Sequence, residues 1–168
     1  MALPDARNNQ DWLLTININN EIDPQSDLPG IMIRPMFLDR ENEVCVHYDT
    51  IQPGTALPAH LHTRTVHFFT TKSRWRSAEQ PEYMQIAGSY LFEPGGSIHT
   101  FMIPTDATES TKGFMVVNGA NVNFVDGKYH SMMDTCVIQD GILGAIIAGL
   151  IPIPRCIGPK GGAQFSTT

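Results

Sequence analysis

Short runs of β-favouring residues alternate with turn residues through most of the chain. The runs lie at 31–38, 43–51, 60–71, 83–87, 89–93, 99–103 and 113–117. The segments between them are rich in Pro, Gly, Asp and Asn, as in Pro53-Gly54 and Pro94-Gly95-Gly96. Strands at intervals of about 8–12 residues are typical of β-sandwiches and β-barrels. The pattern therefore predicts an all-β fold, and no segment with helical periodicity interrupts the series.

The two ends of the chain depart from this pattern. The first thirty residues are polar and finish in a turn-like Asp27-Leu28-Pro29-Gly30, which predicts an arm leading into the domain. The run 142–153 is almost wholly apolar but too short to cross a membrane, so it predicts a helix that caps the barrel or lies in a dimer interface. The predicted organisation is an N-terminal arm (1–30), a β-barrel (31–135) and a C-terminal segment (136–168). A strand at 122–125 followed by Asp126-Gly127 predicts a hairpin.

Composition narrows the class of partner. The chain has 168 residues, enough for one domain; 42% are hydrophobic, and the formal net charge is −6. Its 11 Lys and Arg residues are scattered and form no basic stripe, so we expect no nucleic-acid partner. The three cysteines, Cys45, Cys136 and Cys156, are widely spaced and favour a reducing compartment, and the first residues show no export signal. We therefore expect a cytoplasmic protein that does not enter a membrane.

Histidines in two short segments carry the candidate chemistry. His60 and His62 are separated by one residue, so on a strand both side chains point to the same face. A divalent metal would partner both rings, although a His-x-His sequence alone is a weak signal. In the second segment, the Pro94-Gly95-Gly96 turn is followed by His99 at the start of a strand. Three histidines from two hairpins would form a facial set of ligands and leave coordination positions open.

These segments resemble the two motifs of the cupins, which are small antiparallel β-barrels with a jelly-roll-like fold. The first motif is a Gly, five residues, His-x-His, three or four residues and a Glu; the residues that match it are Gly54, His60 and His62. The second is a Gly, five residues, Pro-x-Gly, two residues and a His, matched by Gly88, Pro94, Gly96 and His99. The chain has His67 where the first motif has its Glu, and Ile103 where the second ends in Asn. The resemblance implies a cupin barrel, but it does not imply one function because cupins host many reactions.

The stretches 60–76 and 87–100 are also similar to the 2,4′-dihydroxyacetophenone dioxygenases and, more distantly, to the acetylacetone-cleaving dioxygenase. Both groups use non-haem Fe(II) and O2 to break a carbon–carbon bond beside a ketone. In the first group an acidic residue shortly after a Trp is a fourth iron ligand. Glu79 lies at that place after Trp75, and Glu82 is the alternative because the loop is about one residue longer here.

Other side chains could act beside the metal. For His67 three interpretations are open: a group that hydrogen-bonds substrate or water, a fourth nitrogen ligand, or an ordinary barrel histidine. We expect strand alternation to place His67 and Phe69 on the inward face. Glu93 is either a catalytic group beside the metal or a turn carboxylate paired with a nearby donor. Candidates for an apolar substrate pocket are Phe69, Tyr90, Phe92 and Phe101; His47 and His130 are interpreted as ordinary strand or turn residues.

The expected function is that of an Fe(II)-dependent dioxygenase that cleaves an α-hydroxyketone or a β-diketone, in a homodimer or larger homo-oligomer. Zn, Ni, Mn and Cu are alternative metals because histidine ligands do not select among them. One alternative function is a cupin enzyme that uses the same metal site without O2, such as an isomerase or a decarboxylase. Another is a metal- or ligand-binding cupin without turnover.

Overall fold

The computed structural model describes residues 14–20 and 29–158. Within these ranges the chain forms twelve β-strands, one 3₁₀ helix (Ile18–Asn20) and one α-helix, α1 (Thr135–Ile147). The first six strands are β1 (Ile31–Asp39), β2 (Val44–Ile51), β3 (Ala59–His62), β4 (Val66–Lys72), β5 (Arg74–Ser77) and β6 (Gln85–Ile86). The others are β7 (Tyr90–Glu93), β8 (Ile98–His99), β9 (Phe101–Met102), β10 (Thr111–Asn118), β11 (Asn121–Val125) and β12 (Lys128–Met133).

The strands form three antiparallel sheets. Five strands make the largest, in the order β1-β2-β10-β4-β7, four make the second, β12-β11-β3-β8, and three make the third, β6-β5-β9. The sheets do not close into one continuous barrel, and together they enclose the interior as a sandwich. The prediction of an all-β fold with a short C-terminal helix is confirmed.

Some strand boundaries differ from the predicted ones for local reasons. The predicted run 60–71 is two strands, β3 and β4, because a bend at residues 63–64 interrupts it. The predicted hairpin is present between β11 and β12: Val125 pairs with Lys128, and Asp126 and Gly127 have φ of 51° and 71°. Two successive residues with positive φ are what a tight type I′ turn requires.

The core lies against the inner face of the five-stranded sheet. Phe68, Trp75 and Phe101 are each at most 2% exposed, and the Trp75 and Phe101 rings stack with centroids 4.0 Å apart. The Trp75 indole Nε1 donates a 2.9 Å hydrogen bond to Thr70 Oγ1, which satisfies its polar group inside this cluster. This aromatic cluster joins β4, β5 and β9, so it holds the largest sheet and the smallest sheet together.

The C-terminal helix begins at a well-formed cap and leaves most of its surface exposed. The Asp134 side chain accepts a hydrogen bond from the Val137 backbone N–H, and Ile147 at the last helical position is 86% exposed. Farther on, Ile157 exchanges two 2.9 Å backbone hydrogen bonds with Met36 and Leu38 at the edge of β1. In the described part of the chain, no helix has the length and hydropathy to span a bilayer. The division at residues 30 and 135 stays a prediction, since much of the N-terminal arm lies outside the described residues.

Candidate metal centre

Three of the predicted histidine ligands come together on the four-stranded sheet. His60 and His62 share one face of β3, and His99 on β8 is the cross-strand partner of His60. One ring nitrogen from each of His60, His62 and His99 lies within 4.8 Å of the others. His60 is 4% exposed and His62 is 2% exposed, so the group lies inside the protein.

The surroundings of His60 prepare it to bind a cation through Nε2. Its Nδ1 is 2.9 Å from the Pro58 carbonyl oxygen and donates a hydrogen bond to it, which leaves the lone pair on Nε2. Burial, with smaller contributions from the neighbouring His99 and His62, outweighs the hydrogen bond to Pro58 and lowers the pKa of His60 to about 4. His60 is therefore neutral near pH 7, which is the protonation state that a metal ligand needs.

Glu93, predicted to act beside the metal, is the carboxylate that meets this group. Its Oε2 lies 3.1 Å from His99 Nε2 and 3.2 Å from His62 Nε2, and those two nitrogens are 3.2 Å apart. Burial opposes ionisation, but the contacts with His62 and His99 outweigh it and lower the pKa of Glu93 to about 2. The carboxylate is 8% exposed and carries a negative charge at neutral pH.

The contacts of Glu93 fit a cation better than a set of hydrogen bonds. Although Oε2 is close to both rings, it has no geometrically acceptable hydrogen-bond partner and is buried. The carboxylate oxygen lies instead 3.1–3.2 Å from two of three histidine nitrogens that are within 4.8 Å of one another, and this donor set suits Fe, Mn, Ni, Cu or Zn. The residues present therefore fit a divalent metal, although they do not select one.

An internal cavity of about 60 Å³ lies between the five-stranded and four-stranded sheets. His60, His62, His99 and Glu93 form one wall, and apolar residues, among them Ile51, Phe101 and Met115, form much of the rest. A single water requires roughly 10–15 Å³ by this measure, so the cavity has room for a few water molecules or one small organic molecule. Phe101, a candidate pocket residue from the sequence, lines this cavity.

Glu79 lies outside the histidine group. Its Oε2 accepts a 2.9 Å hydrogen bond from the Thr100 backbone N–H and also contacts the Ser77 hydroxyl. Desolvation opposes ionisation of Glu79, but these hydrogen bonds together outweigh it and lower the pKa of Glu79 to about 2. Glu79, Glu93 and His99 do line one open cleft of about 360 Å³, which shares Glu93 and His99 with the internal cavity. Glu82, the alternative ligand, is exposed and lines neither space.

The predicted inward orientation of His67 and Phe69 is corrected by the structure. Val66, Phe68 and Thr70 are the buried residues of β4, so alternation turns the residues between them to the outer face. The His67 Nδ1 forms a 2.8 Å hydrogen bond with the Tyr90 hydroxyl. Phe69, Tyr90 and Phe92 are 45–53% exposed, and Phe92 reaches only the open cleft. Phe69 and Tyr90 thus line neither space, and His67 does not contact the histidine group.

His47, interpreted from the sequence as an ordinary strand or turn residue, lies on β2 and pairs there with Asp49 on the cavity wall. His47 and Asp49 are both buried on the inner face of β2, and His47 Nδ1 lies 2.6 Å from Asp49 Oδ1. Cys45 precedes them on the same face, and all three line the internal cavity. The signal was present in the sequence, because residues 45, 47 and 49 have the period of two that places side chains on one face of a strand.

The sequence matches a known protein family over most of the described region. Residues 18–122 match the family described as the ChrR cupin-like domain. A comparison with curated proteins finds no match. The matched region includes both histidine segments and nearly all of β1–β11.

Solved structures give the same result for the fold. A protein of unknown function with a cupin-like fold from Ralstonia eutropha JMP134 is 35% identical, with 94% of this chain and 98% of that chain covered at a TM-score of 0.86. An RmlC-like cupin protein from the same organism is 20% identical, with 83% and 90% covered and a TM-score of 0.74. An acetylacetone dioxygenase from Acinetobacter johnsonii is 20% identical, with 86% and 99% covered and a TM-score of 0.66. At 20% identity, the last two similarities establish the fold alone.

Proposed function

The chain belongs to the family of ChrR cupin-like domains, and from this premise we propose that it is a non-haem Fe(II) dioxygenase that cleaves a carbon–carbon bond beside a ketone. The proposed substrates are O2 and a small α-hydroxyketone or β-diketone. Two similarities support this choice among cupin functions: the resemblance of residues 60–76 and 87–100 to ketone-cleaving dioxygenases, and the likeness in fold to an acetylacetone dioxygenase.

The observation that carries the proposal is the grouping of His60, His62, His99 and Glu93 on the wall of a largely apolar cavity. The three histidines would hold the metal through ring nitrogens, and Glu93 would supply a carboxylate oxygen in place of the Glu that the first cupin motif lacks here. When bound, ferrous iron would supply Lewis acidity toward substrate oxygens and the one-electron chemistry that O2 requires.

The chain itself would orient the substrate and exclude water. Phe101 and Met115 present apolar surface to the cavity, which suits the hydrocarbon part of a ketone. The cavity of about 60 Å³ favours a small aliphatic ketone over a large aryl ketone. Because His60, His62 and Glu93 are buried, charges at the ligand group act in a medium of lower dielectric constant than water, where they are stronger.

Metal analysis and oxygen uptake together test the proposal. We expect protein purified without added metal to contain iron near one equivalent, and to consume O2 in proportion to added acetylacetone or to a small α-hydroxyketone. His62→Ala should lose both the metal and the oxygen uptake, because it removes one of the three histidine ligands. His130→Ala, a change at an exposed residue on β12, is the matched control and should retain both.

Each alternative function gives a distinct result in the same assays. Oxygen uptake that persists in the His62→Ala variant would refute the assignment. Turnover of the ketone without O2 consumption would indicate an isomerase or decarboxylase, and bound zinc or nickel would favour that result. A saturable rise in melting temperature with ligand, and no product, would indicate a binding protein without turnover.

A further inference from the structure

His47 and Asp49 form a buried ionic pair on β2, where both residues line the internal cavity. Their side chains are 7% and 5% exposed, and the His47 Nδ1–H donates a 2.6 Å hydrogen bond to Asp49 Oδ1. Burial alone would lower the pKa of His47, but the charge of Asp49 and this hydrogen bond outweigh burial and raise it. The Cys45 thiol, next along the same face, raises it further. His47 is thus a buried cation paired with a buried anion.

A buried ion pair usually contributes little to the free energy of unfolding. Removing two charges from water carries a large desolvation penalty, and apolar residues of similar volume are often as stabilising or more so. The neighbouring inward residues of β2 are Cys45 and Ile51, both of which belong to the hydrophobic core. A buried pair at such a position, on the wall of a cavity beside candidate metal ligands, favours a functional role.

The hydrogen bond to Asp49 uses only one of the two ring nitrogens of His47, so the other can donate to a ligand. Asp49 engages Nδ1, so it holds the imidazole ring in one orientation and leaves Nε2 as the other N–H group. His47 and the three-histidine group line the same cavity, which is only about 60 Å³ in volume. A molecule that fills so small a space contacts both walls.

We propose that His47, oriented by Asp49, contacts the substrate: its Nε2–H donates a hydrogen bond to an oxygen of a small organic anion, an enolate or a carboxylate, held in the cavity beside the histidine group. His47 is then a catalytic residue and Asp49 a positioning residue. The inference rests on the proposed function for the location of the anion at the metal group. Beyond the proposed function, it specifies that the bound ligand is an anion and that His47 recognises it.

Binding of acetylacetone under nitrogen tests this role separately from turnover. The probe is titrated by calorimetry into protein loaded with Fe(II), and bound metal and melting temperature are measured on the same samples. The double variant His47→Leu with Asp49→Val removes both charges, so it leaves no unpaired ion in the core. We expect it to retain the metal and its melting temperature, while acetylacetone affinity falls about 10- to 100-fold, as for the loss of a hydrogen bond to a charged group.

Two further variants keep the result interpretable. Asp49→Asn preserves volume and should weaken acetylacetone binding about 3- to 10-fold by loosening the orientation of His47, whereas the control His130→Gln should bind like wild type. If the double variant does not fold, the Asp49→Asn comparison decides. Wild-type affinity in either His47–Asp49 variant, or no binding of acetylacetone to the wild-type protein, would overturn the inference. Binding without O2 consumption would instead refute the proposed function and leave the comparison of variants valid.

Discussion

Glu93 is the cross-strand partner of Val66 in the β4–β7 ladder, and both side chains point into the protein. Val66 follows His62 at the three-residue spacing at which the first cupin motif can have its Glu. Directly opposite residues of antiparallel strands have Cβ atoms about 4.5–5.5 Å apart. A carboxylate on β7 therefore reaches the region that a motif glutamate on β4 would occupy, and the contacts of Glu93 with His62 and His99 are consistent with this.

Glu93→Gln should weaken metal binding. The change keeps the size of the side chain but removes the negative charge that faces the histidines, so we expect metal affinity to fall by at least about 10- to 100-fold, the loss typical of a group that only supports a ligand. Titration with Fe(II) in competition with a chelator measures this. Glu79→Gln is the matched control, since its carboxylate bonds to Thr100 and Ser77, and it should leave metal affinity within about three-fold of wild type. The opposite ranking of the two variants would identify Glu79 as the fourth ligand.

The histidine group could be predicted from the sequence because its determinants are local. One intervening residue places His60 and His62 on the same strand face, and the Pro94-Gly95-Gly96 turn precedes His99 in a recognisable motif. The assignment of the acidic residue depended instead on which strand pairs with β4. That pairing is a long-range property, which no local pattern of residues contains.

The face on which His67 lies was predicted wrongly for a related reason. The bend after His62 determines which residue of β4 first enters the core, and a shift of one residue exchanges the two faces of a strand. Burying Val66 and Phe68 removes more apolar surface from water than burying His67 would, so Val66 and Phe68 occupy the core. The apolar residues Val66 and Phe68 on either side of His67 are the local signal for the buried face of β4.

His67→Ala should leave the metal site intact. His67 lies on the outer face of the five-stranded sheet, where its hydrogen bond to Tyr90 is solvent-exposed, so its loss should cost about 1 kcal/mol or less. We expect metal content and oxygen uptake within about two-fold of wild type, the range of an exposed substitution. A loss of either as complete as in the His62→Ala variant would restore His67 to the active site.

The metal-free protein should lose stability as the pH falls from about 6.5 to about 4. The unfolded chain binds a proton at His60 near pH 6.5, whereas the folded chain binds it only near pH 4. Between these values the unfolded state holds more protons, so stability decreases with acidification, on the order of 3 kcal/mol in total. Urea unfolding at several pH values measures the slope. In His60→Gln the slope should be smaller by about one proton; equal slopes would contradict the assigned protonation of His60.

Gly113→Ala should destabilise the protein through overpacking of the core. Gly113 is buried on β10, and a Cβ atom there would lie 2.5 Å from Phe68 Cζ and 2.7 Å from the Phe69 carbonyl oxygen. The ring of Phe68 packs against Trp75, and the carbonyl belongs to the backbone of β4, so neither can move freely. We expect a loss of about 1–3 kcal/mol in the free energy of unfolding, seen as a melting temperature lower by several degrees.

Gly144→Ala is the matched control, because it adds the same methyl group where there is open space. Gly144 lies in α1, where a Cβ would meet no atom within 4 Å, and alanine favours a helix by roughly 0.5–1 kcal/mol over glycine. Its melting temperature should equal or exceed that of wild type. A lower melting temperature for Gly113→Ala together with an equal or higher one for Gly144→Ala would show that the loss of stability comes from the lack of space at Gly113 and not from replacing a glycine as such. A Gly113→Ala variant as stable as wild type would mean that the Phe68 ring does not pack over β10 as described.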